Sequence, residues 1–311
     1  MKVLFVASGN QGKASPVVKA QGDALVKAGV DVDYFLIKGK GIKGYLSQVR
    51  PLRKYWKAHH FDVIHAHYSL SAYVASLAGV KPLVVSLMGS DVKATGWHSK
   101  FVRLFSKLFC WKDVIVKSKD MAEAVRIKDV NVIPNGVDMD LFVLMDKNKC
   151  QKRLGWDEGK KHILFPANPS RPEKDFQLAQ DAIKLLDQNV AIHVFQQVEH
   201  QETVYLFNAA DAVLLTSKWE GSPNVIKEAL ACCRPIVSTN VGDVKERLVG
   251  IEGCYVAETR EPAELAGLLK RALDCEKPTK GRDAIFSAGL DNIQILKKII
   301  NIYKKVTQSY K

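Results

Sequence analysis

The chain has 311 residues, 47% of them hydrophobic, which is ample for two ordinary α/β domains with separate cores and long for one. Its formal charge of +13 is lopsided: residues 1–145 carry 21 Lys and Arg against 11 Asp and Glu, and residues 146–311 carry 25 against 22. That balance points to a polyanionic partner (nucleic acid, anionic lipid or a charged substrate) and says nothing about fold. The six cysteines, Cys110, Cys150, Cys232, Cys233, Cys254 and Cys275, form no C-x-x-C pair, and no histidine cluster has zinc spacing, so a reducing compartment is expected and a disulfide framework is not. Val3–Ala7 is too short for the apolar core of a signal peptide, and no later run approaches the roughly 18 apolar residues of a membrane span. The expectation is a soluble cytoplasmic protein, or one attached to the inner face of a membrane only at its surface.

Taken in order, the elements alternate between strand and helix. Val3–Ala7 reads as a strand, followed by a loop containing Gly9, Asn10 and Gly12. A helix then opens with Ser15 at the N-cap and Pro16 in the first turn, and closes at Gly29. Val30–Ile37, Val63–His67, Leu83–Leu87 and Val114–Val116 read as further strands of a doubly wound parallel sheet. In such sheets ligands bind at the carboxyl ends of strands, which marks the loops after Ala7, His67 and Leu87. The pattern restarts near residue 160, with strands at Ile163–Pro166, Ala191–Phe195, Ala212–Thr216 and Ile236–Ser238 and helices at Phe176–Leu186, Val204–Ala210 and Ser222–Cys232. A polar connector, Met145 to Lys161, separates residues 1–145 from 146–311, and Ile293–Val306 reads as a terminal helix.

The most informative stretch is Leu215 to Val237, which holds Glu220-Gly221-Ser222-Pro223-Asn224-Val225 and then Glu228. A helix starting at Ser222-Pro223 would aim the N–H groups of its first turn, near Asn224 and Val225, at an anion, and its dipole would add to them. Glu228, on the second turn, would reach neutral hydroxyls such as a ribose diol. Taken alone, the segment reads equally well as a capped helix after a surface loop.

This segment resembles the glutamate pair of retaining GT-B glycosyltransferases, above all family 4, which includes many cell-envelope and capsule polysaccharide transferases. Cys233 stands where that family has Gly, so the turn there is expected to differ. Phe61–Tyr68, Leu87–Asp91, Ile133–Asp138 and Phe165–Lys174 resemble other family segments in the same order. The resemblance implies two facing doubly wound, Rossmann-like domains with the site in the cleft between them. Residues 1–145 would bind the acceptor, residues 146–311 would bind the donor, and the terminal helix would cross back to the first domain. It implies transfer, with retention, of a sugar from a nucleotide diphosphate sugar, UDP favoured over GDP, to a hydroxyl of a glycan or lipid-linked glycan. Glu220 would serve the donor sugar and Glu228 the ribose. Lys174 and Arg171 would neutralise the departing diphosphate together with the backbone from Gly221 to Val225, and Asn168 occupies the family's usual Arg position. No cofactor and no metal are expected.

Met88 replaces a family histidine, which leaves a non-catalytic nucleotide-sugar binder as an alternative; a nucleic-acid binder is a weaker one, lacking any aromatic-and-glycine signature. His67 is expected to contact acceptor or sugar, with His65 on the opposite face of the strand, and Asp91 to orient its loop or contact a hydroxyl. The triplets Asp31-Val32-Asp33 and Asp138-Met139-Asp140 lack a sheet-end position and read as structural. Two amphipathic basic stretches, Tyr45–Lys57 and Trp97–Lys112, are candidates for an anionic membrane surface or for helices packed on their own sheet.

Overall fold

A computed structural model describes residues 1–9, 12–39, 41–89, 96–109, 111–187 and 189–310, so Asn10 and Asp91 lie outside the described residues. The chain divides into two compact units, Met1–Gly136 with Asn292–Lys311, and Val137–Asp291.

The first unit runs β1 (Lys2–Ser8), α1 (Pro16–Lys27), β2 (Asp31–Ile37), α2 (Gly41–Ser47), α3 (Val49–Ala58), β3 (Val63–His67), α4 (Ser69–Ala78), β4 (Leu83–Ser86), α5 (Gly96–Leu108), β5 (Asp113–Val116), α6 (Lys119–Val125) and β6 (Asn131–Val132). Its strands pair in parallel in the order β2-β1-β3-β4-β5-β6. The central strands are covered on both faces, so β1 is an apolar run whose residues alternate between two cores. Val3, Phe5 and Ala7 face one core, Leu4 and Val6 the other. Ser15 holds the N-cap position of α1 but makes no side-chain capping bond, and Pro16 supplies the preset first turn.

The second unit runs α7 (Lys147–Leu154), β7 (Lys161–Phe165), a 3-10 turn (Pro172–Lys174), α8 (Phe176–Lys184), β8 (Val190–Val194), α9 (Thr203–Ala209), β9 (Ala212–Leu215), α10 (Asn224–Ala231), β10 (Ile236–Thr239), α11 (Val244–Leu248), β11 (Cys254–Ala257), α12 (Pro262–Leu273) and α13 (Gly281–Ser287). Its parallel order is β11-β10-β9-β7-β8. The winding reverses between β7 and β9, which makes their carboxyl ends the topological switch point where ligands of such sheets bind.

The boundary lies at Gly136 rather than near residue 145, because the intervening segment is tied to the second unit. Val137, Met139 and Phe142 are buried in its core, and Arg282 donates to the carbonyls of Phe142 and Met139, both at 2.7 Å. Asn208 accepts from the Met145 N–H at 2.8 Å and donates to the Val143 carbonyl at 2.9 Å. Asp138 accepts from the N–H groups of Asp140 and Leu141, and Asp33 accepts from the Tyr55 hydroxyl, so each triplet has a local structural task.

The last helix, α14 (Asn292–Gln308), rejoins the first unit. Ile295, Ile299, Ile302, Tyr303 and Val306 recur at helical spacing and are buried with Val3 and Phe5. Each such burial contributes about 1.5–3 kcal/mol. The Tyr303 hydroxyl also meets His65 Nδ1 at 2.6 Å.

At the end of α10 the chain makes a Schellman turn, with Arg234 N–H to the Ala229 carbonyl and Cys233 N–H to the Leu230 carbonyl. The turn is therefore of the kind a glycine makes, and Cys233 adopts it at φ +55°. A left-handed conformation costs a side-chain-bearing residue roughly 1–2 kcal/mol. Cys233→Gly is accordingly expected to stabilise the protein by about 1 kcal/mol and raise its melting midpoint by roughly 2–4 °C. A lower midpoint in differential scanning calorimetry would contradict this account.

Candidate functional site

The loops after β7 and β9 meet at the switch point. Thr216 donates its hydroxyl to the carbonyls of Lys174 (2.9 Å) and Asp175 (2.8 Å), and the Lys218 N–H donates to the Glu173 carbonyl at 2.8 Å. Arg260 fastens the same junction, donating to the carbonyls of Ser217 (2.8 Å) and Thr216 (2.9 Å) and to the Asp175 carboxylate at 2.7 Å. Held this way, the Lys174 ammonium forms an ion pair with Glu220, whose Oε1 also accepts from the Ser217 hydroxyl at 2.8 Å. Both side chains are largely shielded, at 12% and 16% exposure.

Glu220-Gly221 leads into α10, whose N-cap, Pro223, has no side chain able to accept from the first-turn N–H groups. Gly221 is fixed by the following loop: its carbonyl accepts from the Asp243 N–H at 3.2 Å. Gly242 lies against it at φ +57°, where a Cβ would stand 2.2 Å from that carbonyl oxygen, so only glycine fits. Glu228 is 8% exposed on the second turn, and its Oε1 meets His200 Nε2 at 3.2 Å. The hydrogen bond to Glu228 raises the His200 pKa, and the imidazole meets the Phe142 ring in a T-shaped contact with centroids 5.5 Å apart.

The structure thus brings Lys174 and Glu220 together in the loops that precede α10, while Glu228 lies on the second turn of that helix, paired with His200. Arg171 is not part of that group: its side chain is 57% exposed and bonded to Glu173, with Nε donating at 2.8 Å. Asn168 is exposed and shapes its own turn, accepting from the Ser170 N–H at 2.9 Å and hydroxyl at 2.8 Å. His200, Arg260 and Lys227 are additions from the structure, and no local motif marks them: His200 and Arg260 find partners on other elements, while Lys227 reaches back to Ser222.

In the first unit, Gly9 is a packing residue, since a Cβ there would stand 2.5 Å from the Leu36 Cβ, and the Gly12 N–H closes a turn on the Gly9 carbonyl at 2.8 Å. The expectation that His65 and His67 point oppositely is wrong. Residues two apart in a strand share a face, and the two rings lie 4.2 Å apart against Phe5. His67 is 2% exposed, and burial together with Lys117 pulls its pKa down to about 3, which keeps the ring neutral.

Two family models match the chain in succession: Glycosyltransferase Family 4 over residues 2–141 and Glycosyl transferases group 1 over residues 172–285. A putative teichuronic acid biosynthesis glycosyltransferase, TuaC of Bacillus subtilis, is 30% identical over 211 residues, or 59% of this chain, and the chain spans 54% of that relative's length. Among solved structures, a sucrose-phosphate synthase from Thermosynechococcus elongatus superposes with a TM-score of 0.82 at 15% identity, over 99% of both chains. Anabaena HepE in complex with UDP-glucose gives 0.79 at 18% identity, over 98% of this chain and 100% of the other. With both sheets, both sequence segments and the superpositions in agreement, the chain belongs to the group 1, family 4 glycosyltransferases of GT-B fold.

Proposed function

We propose that the protein transfers a sugar from a nucleotide diphosphate sugar to a hydroxyl of a glycan or lipid-linked glycan acceptor, with retention at the anomeric carbon. The observation that carries this reading is the ion pair of Lys174 with Glu220 in the loop that leads into α10, with Glu228 shielded on the second turn of that helix. In it the diphosphate lies at the helix end, where the first-turn N–H groups, the macrodipole and Lys174 offset its charge as it departs. The acceptor hydroxyl attacks from the face the diphosphate leaves. Glu228 accepts hydrogen bonds from the ribose hydroxyls in exchange for His200, and Glu220 serves the sugar. Arg171 has a role only if it leaves Glu173. The UDP-glucose complex of HepE and the teichuronic acid relative favour a UDP-sugar and a cell-envelope polysaccharide acceptor.

Because the charge is met by the protein's own groups, donor binding is proposed to need no metal. UDP at a hundred times its dissociation constant should stabilise the protein by about 2.7 kcal/mol, with or without chelator. Loss of the thermal shift in chelator would refute the metal-free site. Glu228→Ala should weaken UDP and UDP-sugar alike, by roughly 10-fold to 100-fold for a lost charge-assisted hydrogen bond. Glu220→Ala should leave UDP affinity nearly unchanged and lower turnover. Calorimetric titration of both variants decides the assignment, and the reverse pattern would exchange the two roles.

We further propose attachment to an anionic membrane surface through the first unit; no helix among the described residues is long and apolar enough to cross a membrane. In α5, Val102 is buried and Phe105 packs on the core, yet Phe101, Leu104 and Leu108 are 50%, 50% and 66% exposed. In α2, Ile42 and Leu46 are exposed likewise. On α3, Arg50, Arg53, Lys54 and Lys57 line a shallow groove. Arg53 has a second task, donating at 2.8 Å to the carbonyls of Ala78 and Leu77 at the end of α4. Arg50, Lys54 and Lys57 would then contribute about 1 kcal/mol each. Sedimentation should be strong with vesicles containing anionic lipid, weak with neutral ones and reversed by salt. Changing those three residues to Gln should abolish it while UDP binding persists. Equal, negligible sedimentation on both vesicle types would overturn the reading.

A further inference from the structure

Lys227 is the most deeply buried ammonium of the second unit, 1% exposed on the fourth residue of α10. Side chains on a helix lean toward its N-terminus, and this one does so fully, placing Nζ 3.3 Å from the Ser222 hydroxyl just before the helix begins. Two costs coincide there. An ammonium withdrawn from water loses its hydration, and a cation at a helix N-terminus opposes the macrodipole. Part of the compensation is visible. Asp243, the residue preceding α11, is 5% exposed and bonds Arg247 at 2.9 Å through Oδ2, while its Oδ1 is buried with no hydrogen-bond partner among the described residues. Asp243 is also the residue whose N–H holds the Gly221 carbonyl. The helix start, Ser222, Lys227 and Asp243 therefore form one unit beneath the loop that carries Glu220.

We propose that Lys227 is a positioning residue for an anionic diphosphate: through its hold on Ser222 it sets the loop at the N-terminus of α10, and its buried charge makes that end a stronger anion site than the helix dipole alone. The inference rests on the donor-site reading given above and assigns it a second cation, buried behind Ser222. The charged groups facing Lys227 are Glu228 of its own helix and Asp243 and Arg247 of the α11 segment. Desolvation outweighs the two carboxylates and pulls its pKa down to about 8. An anion at the helix end favours the charged form, so a nucleoside diphosphate should bind with proton uptake. The sign follows: affinity is full below about pH 8 and declines as pH rises through that value and Lys227 loses its proton.

The test is calorimetric titration of UDP at pH 8 in buffers of different ionisation enthalpy, on the wild type, Lys227→Met and Lys227→Arg. The wild type should take up protons. Lys227→Met should bind UDP about tenfold or more weakly, with the Lys227 share of the uptake gone, which separates it from groups such as His200 that titrate in every variant. Lys227→Arg should keep the affinity, lose the same share of uptake and hold its affinity at pH 9.5, where the wild type weakens. With a buried charge removed, Lys227→Met should melt no lower than the wild type without nucleotide. If that variant fails to fold, the wild-type pH profile against Lys227→Arg decides alone. Unchanged affinity and uptake in the variants would overturn the inference while leaving the donor site standing. Failure of the wild type to bind UDP, GDP or ADP would instead overturn the donor reading, and this inference with it.

Discussion

The side-by-side placement of β7 and β9 is the constraint on which the donor site depends. Their parallel register, Ile163 opposite Ala212 and Leu164 opposite Val213, brings the two strand ends level where the winding reverses. Lys174 and Glu220, 46 residues apart in sequence, meet for that reason. Thr216 and Arg260 then lock the two loops through main-chain carbonyls, whose positions do not vary with side-chain rotamers. A substitution that shifted this register by one residue would turn every inward side chain outward and part the two loops together.

The ionisable groups of the site are already matched by the chain itself. Lys174 is met by Glu220, Glu228 by His200, and Asp243 by Arg247. Shielded charges persist only when paired, so ligand recognition here is an exchange of partners. A ligand must offer an anion to the cations and hydroxyls to the carboxylates at once, which disfavours inorganic phosphate or a neutral sugar alone relative to a molecule that carries both.

The strand cores and the donor motif were legible because their signals are local. Parallel strands buried on both faces are apolar runs, and the loop-to-helix segment from Glu220 to Glu228 is one continuous stretch of sequence that resembles the family's glutamate pair. The turn at Cys233 was misjudged, since the left-handed conformation favours glycine without requiring it. Charge alone does not reveal that Arg171 has a neighbour, Glu173, that already holds it. His65 and His67 were assigned to opposite faces against the two-residue period of a strand. Arg260 and His200 were invisible for a different reason: each acts on a partner that only the tertiary fold supplies; Lys227 reads as an ordinary helix lysine until the fold buries it. The border near residue 145 followed composition, whereas Arg282 and Asn208, far along the chain, decide where that segment belongs.

The return of α14 to the first unit also orders events during synthesis. The contact between His65 and Tyr303 spans 238 positions, and one face of the first sheet is covered by residues at the far end of the chain. The second unit, Val137–Asp291, is contiguous and has its whole sequence before α14 is made. On the ribosome the usual progression from N-terminal to C-terminal domain is thus inverted: the unit begun first is the last to be completed. Its unfinished sheet face stays apolar and uncovered in the interval, the period in which a nascent chain depends most on chaperones, and a truncation that removed α14 would expose the core formed by Val3 and Phe5.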